Sequence, residues 1–383
     1  VTAVRLVRRQ LSWPGPAGRL LRACDWTLLA AVLAAVAFGT AMIYSATRRS
    51  PVTSAWDDLV VKQLFFLAVG LGVLALVSIT DYRTLLVLWK WLYAATVVVL
   101  LVVFFAGHTS LGAQRWLKAG LFTIQPSEFT KIALVLCLAA FFEVRDVRRW
   151  RNVLGSLVLV GVPMVLVLLE PNLSTAILLG AIWLGMAVAA GLRLLHFSVL
   201  ALTVGPALYL VLRLGLLHDY WLNRVSAWLN PMADPRDTGF QNIQTLIAVG
   251  NGGLKGIGYA HGMQTQGGWL PLMYTDNIYA LVAEELGFIG GLAVLLLLGT
   301  IIWRILRAAS LAPDRAGTLL CVGIAAYLLV QAFVNIAVVL QLLPVTGLSL
   351  PFVSYGGSSL VALFAAIGLV QSVLIHRKPL EFQ

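Results

Sequence analysis

The chain has 383 residues, 60% of them hydrophobic and only 11% charged, and its mean hydropathy is +0.91. A soluble domain carries about 25% charged residues, so this chain cannot clothe a water-facing surface and most of its exterior must meet lipid. The net charge of +11 has little polar sequence on which to build a nucleic-acid face, and nucleic-acid binding is disfavoured. Cys24, Cys137 and Cys321, odd in number and far apart, disfavour a disulfide scaffold.

In chain order, residues 1–25 are basic, contain Pro14 and Pro16, and read as a cytoplasmic tail instead of a cleaved signal. A spanning helix needs about 20 apolar residues to cross a hydrocarbon layer roughly 30 Å thick. That ruler predicts ten spans, at about 26–47, 60–79, 86–106, 128–143, 153–169, 172–191, 195–217, 278–304, 317–341 and 350–375. Runs such as Leu292–Leu298 lack the period-two alternation of barrel strands. The expected fold is therefore an all-α integral membrane protein, a single polytopic bundle of ten transmembrane helices. An even number of crossings puts both ends, including the tail at 376–383, on one side. That side would collect about 17 of the 27 basic residues, so the positive-inside rule assigns it to the cytoplasm.

Two extracytoplasmic connections are long enough to carry chemistry, one from Gly107 to Ser127 and a large one at 217–277. The second holds Trp221, Trp228, Trp269 and an apolar stretch at Ile243–Val249, and reads as an ordered loop folded back on the bundle. No internal repeat points to an alternating-access transporter.

Charges beside spanning helices are costly, at about 2.5–3.5 kcal/mol on insertion scales, and so informative. Pro126, Ser127 and Glu128 suit a helix start, and Lys131 falls on the Glu128 face at i, i+3. One reading is a structural ion pair; the other is a cation held in a dry cleft for an anionic group. Arg115 and Lys118, beside Trp116, could snorkel or join Lys131 around a phosphate. Asp276 stands where the large loop re-enters the membrane, as an N-cap or as a carboxylate facing those cations and able to act as a general base. Glu284 and Glu285, about two turns further on, each need a partner or a water-filled cavity. The five His show no metal spacing, and no nucleophile elbow, Walker lysine or dinucleotide fingerprint appears, so ATP, NAD and zinc chemistry are disfavoured.

The stretch from Leu343 to Leu360, Leu-Pro-Val-Thr-Gly-Leu-Ser-Leu-Pro-Phe-Val-Ser-Tyr-Gly-Gly-Ser-Ser-Leu, strongly resembles the signature of the SEDS family (shape, elongation, division and sporulation proteins; RodA, FtsW and SpoVE). The resemblance covers nearly the whole chain, in order. It takes in Gln125-Pro126-Ser127-Glu128 with Lys131, Glu170-Pro171-Asn172-Leu173, Asn230-Pro231 with Gln241 and Gln244, and the glycine-rich 250–258. Tyr274-Thr275-Asp276, Ala283-Glu284-Glu285-Leu286-Gly287 and Asn335-Ile336 follow. Two departures stand out: Asn172 replaces a usual Asp, and Tyr274 and Asn277 replace a common His and Phe, leaving Thr275-Asp276 as the matching core.

The resemblance implies a peptidoglycan glycosyltransferase in the bacterial cytoplasmic membrane, slightly more RodA-like, that polymerises lipid II and works with a class B penicillin-binding protein. It implies Asp276 as the essential carboxylate, with Glu128 and Lys131 facing the same cavity. Arg115, Lys118, Gln244, Thr275, Ser354 and Ser358 are the substrate-binding candidates. In the expected mechanism Asp276 deprotonates the acceptor 4-hydroxyl, while Lys131 and Arg115 offset diphosphate charge. Polyprenyl tails would lie in grooves between spans. No metal ligands and no cofactor are assigned; whether Mg²⁺ or Mn²⁺ assists is left open. The rival readings are a lipid II flippase and a non-catalytic structural partner of a transpeptidase.

Overall fold

The computed structural model describes residues 23–48, 58–110, 113–119, 122–170, 172–213, 219–236 and 239–377. Most of both tails, Pro171 and the Lys118 side chain lie outside the described residues. In chain order the helices are α1 (Trp26–Thr47), α2 (Leu59–Ile79), α3 (Tyr82–Val87) and α4 (Trp89–Ala106). The strands β1 (His108–Ser110), β2 (Ala113–Ala119) and β3 (Phe122–Ile124) come next. Helices α5 (Pro126–Val144), α6 (Trp150–Leu169), α7 (Leu173–Ala189) and α8 (Leu194–Arg213) follow, then α9 (Asp219–Leu229), α10 (Phe240–Gly252) and the single turn α11 (Met263–Gln266). The chain closes with α12 (Ile278–Ser310), α13 (Arg315–Val339) and α14 (Gly357–Ile375).

Several starts are set by the side chain that caps them. Asp25, Asp58, Asp81 and Asp314 accept the free N–H groups of Leu28, Val60, Arg83 and Gly317 at the heads of α1, α2, α3 and α13. Among the described residues, six helices are long and apolar enough to cross a membrane: α1, α2, α6, α12, α13 and α14. Shorter apolar helices lie in α4, α7 and α8, while α5 carries Glu128, Lys131 and Glu143. The chain is a multi-pass helical membrane protein. On α2, Leu64, Phe65, Val69 and Leu76 point outward, a face suited to lipid. The centre of the bundle is α5, α13 and α14, which bury most of their length.

The expected third span is α4, preceded across Leu88 by the short separate helix α3. Two expectations need correction. The last helix begins at Gly357, not near 350, because Leu340–Gly356 forms an irregular segment, largely buried over 348–354, with Gln341, Gly347 and Phe352 at positive φ. An all-α fold is also incomplete. The connection before α5 forms a small antiparallel sheet in the order β1-β2-β3, pairing His108 with Trp116 and Leu117 with Ile124. Outside the spans, short stretches with β-branched and aromatic residues can pair without lipid denying them partners.

The end of the bundle away from this sheet is pinned by charges. Arg304 bonds Asp25 at 2.7 Å, and Arg83 and the Tyr82 hydroxyl bond Asp314 at 3.0 and 2.5 Å. Arg315 donates to the Ala190 carbonyl at 2.9 Å. At the sheet end, α12 is interrupted at Gly287 (φ 66°), and the segment after α10 pairs with the released backbone. Phe288 N–H donates to Gly253 at 2.9 Å, while Ile257 and Gly258 donate to the carbonyls of Glu284 and Glu285 at 3.0 Å. Gly256 (φ 79°) meets the Glu285 carbonyl so closely that a Cβ there would collide with it.

Candidate active site

Asp276 lies in the turn just before α12, partly exposed, and its backbone is held from three directions. The Asn335 side-chain amide, projecting from α13, donates to the carbonyls of Asp276 (2.8 Å) and Leu348 (2.6 Å), tying the turn to the irregular segment. Ser354 Oγ donates to the Thr275 carbonyl at 2.5 Å, and Tyr355 N–H to the Tyr274 carbonyl at 2.8 Å. Gly347 (φ 76°) lies beside the carboxylate, where an added Cβ would stand 3.7 Å from Oδ2. The turn therefore has little freedom, as a reacting group requires.

Desolvation lifts the Asp276 carboxyl to about 6, while the guanidinium groups of Arg224 and Arg115 pull in the opposite direction. Arg115 reaches in from β2 and donates Nε to the Glu170 carbonyl at 3.0 Å. Arg224 projects from α9 and donates to the Val345 carbonyl at 2.8 Å. One turn on, Trp228 donates to Gln341 at 2.9 Å, so the same face of α9 is fastened twice to the irregular segment. A carboxylate with two cations over a partly open edge can accept a proton and steady an anion together.

The remaining candidates fall elsewhere. Lys131 is fully buried: its Nζ is 2.7 Å from Glu128 Oε1, 3.2 Å from Gln331 Oε1 and 4.9 Å from the centre of the Tyr327 ring. It closes a buried ion pair, and Gln331 passes the contact on to the Ser349 carbonyl at 2.9 Å. Thr275 lends its backbone carbonyl to Ser354 while its own hydroxyl turns back to Leu272 at 3.3 Å. Ser354 and Ser358 also spend their hydroxyls on structure, Ser358 by joining Gln125 N–H at 3.1 Å. Gln244 sits half-buried on α10 with no hydrogen bond to the Asp276 cluster, and the Lys118 side chain lies outside the described residues.

Glu284 and Glu285 have found partners. Glu284 accepts Gln264 N–H (2.7 Å), Thr265 N–H (3.1 Å) and the Thr265 hydroxyl (2.7 Å). Glu285 accepts Ser45 Oγ (2.6 Å) and Ala260 N–H (3.0 Å). Both latch the large loop to α12. Asn172 caps α7 by accepting Thr175 N–H, a task that needs no charge. Among the described residues, no three His, Cys, Asp or Glu side chains gather as a metal-binding group.

Sequence reasoning missed Arg224, and it gave no role to Asn335 or Glu170, although both lie in motifs that carry the resemblance. Arg224 lies four residues before Trp228 on a strongly amphipathic loop helix, and that paired spacing was the available signal.

Residues 25–379 match the model of the cell cycle protein family of FtsW, RodA and SpoVE. The chain is 36% identical over 362 residues to stage V sporulation protein E of Bacillus subtilis, covering 91% of this chain and 96% of that one. It is 37% identical over 359 residues to the peptidoglycan glycosyltransferase MrdB of Escherichia coli, covering 93% and 95%. Its fold is similar to the rod shape determining protein RodA of Thermus thermophilus, with a TM-score of 0.69 at 28% identity over 92% of this chain and 97% of that one. A chain from a peptidoglycan synthase complex, described as coordinating polymerization and crosslinking, superposes with a TM-score of 0.80 at 31% identity, covering 93% and 99%.

Proposed function

The chain belongs to the FtsW/RodA/SpoVE family and is a peptidoglycan glycosyltransferase, and we propose that it polymerises lipid II with Asp276 as general base. One observation carries the assignment of residues: the Asp276 carboxyl stands at a partly open edge, opposed by two guanidinium groups. The acceptor sugar's 4-oxygen attacks the anomeric carbon of the donor, and its proton passes to the Asp276 carboxylate. The new glycosidic bond forms as the bond from that carbon to the diphosphate breaks, and the diphosphate leaves with the electron pair. Arg115 and Arg224 offset the charge that develops there, in surroundings where water screens little. Lys131 and Glu128 support the site from below, through Gln331 and the segment that carries Gly347.

Ten crossings, made by α1, α2, α4 to α8 and α12 to α14, put both chain ends in the cytoplasm and Asp276 at the outer face of the bacterial cytoplasmic membrane. Lipid-soluble tails then stay in hydrocarbon between helices. The partner is a crosslinking transpeptidase of the class B penicillin-binding type, which would take up the new strands. The test is polymerisation of purified lipid II by the protein in detergent, where no compartments exist. Polymer that disappears with Asp276→Asn supports the enzyme. No polymer, together with lipid II movement across vesicle membranes, would replace it with the flippase.

A further inference from the structure

Among the described residues, the buried acids other than Glu170 are answered by specific partners. Asp25 has Arg304, Glu128 has Lys131, and Glu284 and Glu285 have the large loop. Glu170, in the turn between α6 and α7, is 2% exposed, and its Oε1 has no hydrogen-bond partner among the described residues. No ion pair among the described residues includes it. Yet it lies directly at the site, because Arg115 donates Nε to the Glu170 main-chain carbonyl at 3.0 Å. The turn is also tied to the segment beside Asp276, since Ser174 Oγ donates to the Thr346 carbonyl.

A carboxylate in such a place is expensive, whereas the neutral acid is not. Arg115, from β2, is the charged group that faces Glu170 among the described residues, and Asp276 shares that same cation. We propose that Glu170 is a positioning residue that works as a neutral acid, leaving the Arg115 guanidinium to the Asp276 side of the site. Ionised, Glu170 competes for Arg115 and draws it away from the departing diphosphate. The inference rests on Arg115 being a diphosphate-holding cation, as proposed above.

Burial pushes the Glu170 carboxyl up to about 8, with Arg115 acting weakly in the other direction. The group is therefore neutral below about 8 and charged above, so its effect belongs to the alkaline side. Turnover should fall above that point, approaching about tenfold per pH unit as for a single required proton. The KM for lipid II should rise there as the cation is lost to the substrate.

The experiment measures lipid II polymerisation by the full chain in detergent across the pH range, for the parent and for Glu170→Gln. Gln copies the neutral acid's shape and cannot ionise. It is expected to hold neutral-pH turnover within about threefold and to abolish the alkaline fall in both turnover and affinity. An unchanged alkaline fall in Glu170→Gln, no such fall in the parent, or a folded but inactive Glu170→Gln would each overturn the proposal. A second readout does not depend on activity. The infrared difference spectrum between parent and Glu170→Gln at neutral pH should contain a protonated carboxyl carbonyl band, and its absence would equally defeat the assignment. If the parent makes no polymer at any pH, the lipid II reading fails, while the infrared band still decides the state of Glu170.

Discussion

Asp276 is where opposing forces leave a measurable mark. Burial lifts its carboxyl to about 6 and the two arginines restrain that rise, so the carboxylate predominates at neutral pH and is lost as pH falls through about 6. A general base must be ionised, so turnover should decline on the acid side of that value, opposite in sign to the fall assigned to Glu170. Asp276→Asn should cost about 10²–10⁴-fold in lipid II polymerisation with the unfolding midpoint unchanged. Residual activity within tenfold of the parent would take Asp276 out of the chemistry. Lys131 calls for a different test, because its ammonium is buried against Glu128. Lys131→Met alone strands a buried carboxylate and should cost about 3–5 kcal/mol, seen as a lower unfolding midpoint, while adding Glu128→Gln should restore much of that loss. If the double variant is no more stable than Lys131→Met, the pair is not the reason for the lysine. These residues differ in how visible they are in sequence. Asp276 and Arg115 stand out because charge beside a span is rare. Arg224 does not, because its distance from Asp276 is set by how α9 lies on the irregular segment, and no local pattern encodes that.

Among elements, the long apolar runs could be read directly, since lipid demands about 20 apolar residues whatever the neighbours are. The small sheet could not be, because strands as short as His108–Ser110 and Phe122–Ile124 hold too few residues to display alternation. Nor could the start of α14, since Leu350–Gly356 is as apolar as a span but buried as irregular chain against the Asp276 turn. Glu284 and Glu285 stand out for their charge in the membrane, and their partners come from a loop about 20 residues earlier and, for Glu285, also from Ser45 on α1, which only folding brings near. The latch makes its own prediction. Glu284→Ala orphans two backbone N–H groups and a hydroxyl, each worth about 1–3 kcal/mol when buried without a partner. Gly256→Ala adds a Cβ against the Glu285 carbonyl at a positive φ. Both variants should open the segment between α10 and α12 to limited proteolysis while α13 and α14 stay protected. Equal resistance in variant and parent would mean the latch carries no load.

At the scale of the molecule, the site works only if its end of the bundle faces the compartment that receives the polymer. Helices α5 and α6 run in opposite directions between two sets of charges, with Arg148 exposed in the turn between them and Glu128 and Glu170 at their far ends. Arg236 is exposed in the large loop, on the Asp276 side of the chain. The positive-inside rule assigns the 145–151 arginines to the cytoplasm, so the two positions should lie across the membrane from each other. Single cysteines at Arg148 and Arg236, in a Cys24→Ser background that leaves only the buried Cys137 and Cys321, turn this into a labelling experiment. In intact cells a membrane-impermeant maleimide should label Arg236→Cys and spare Arg148→Cys until the membrane is opened. The reverse pattern would put Asp276 and its two arginines in the cytoplasm, where they could not extend a glycan strand outside the cell. Labelling of both positions from one side would mean an even number of crossings between them, in place of the three made by α6, α7 and α8, and the ten-crossing path would have to be redrawn.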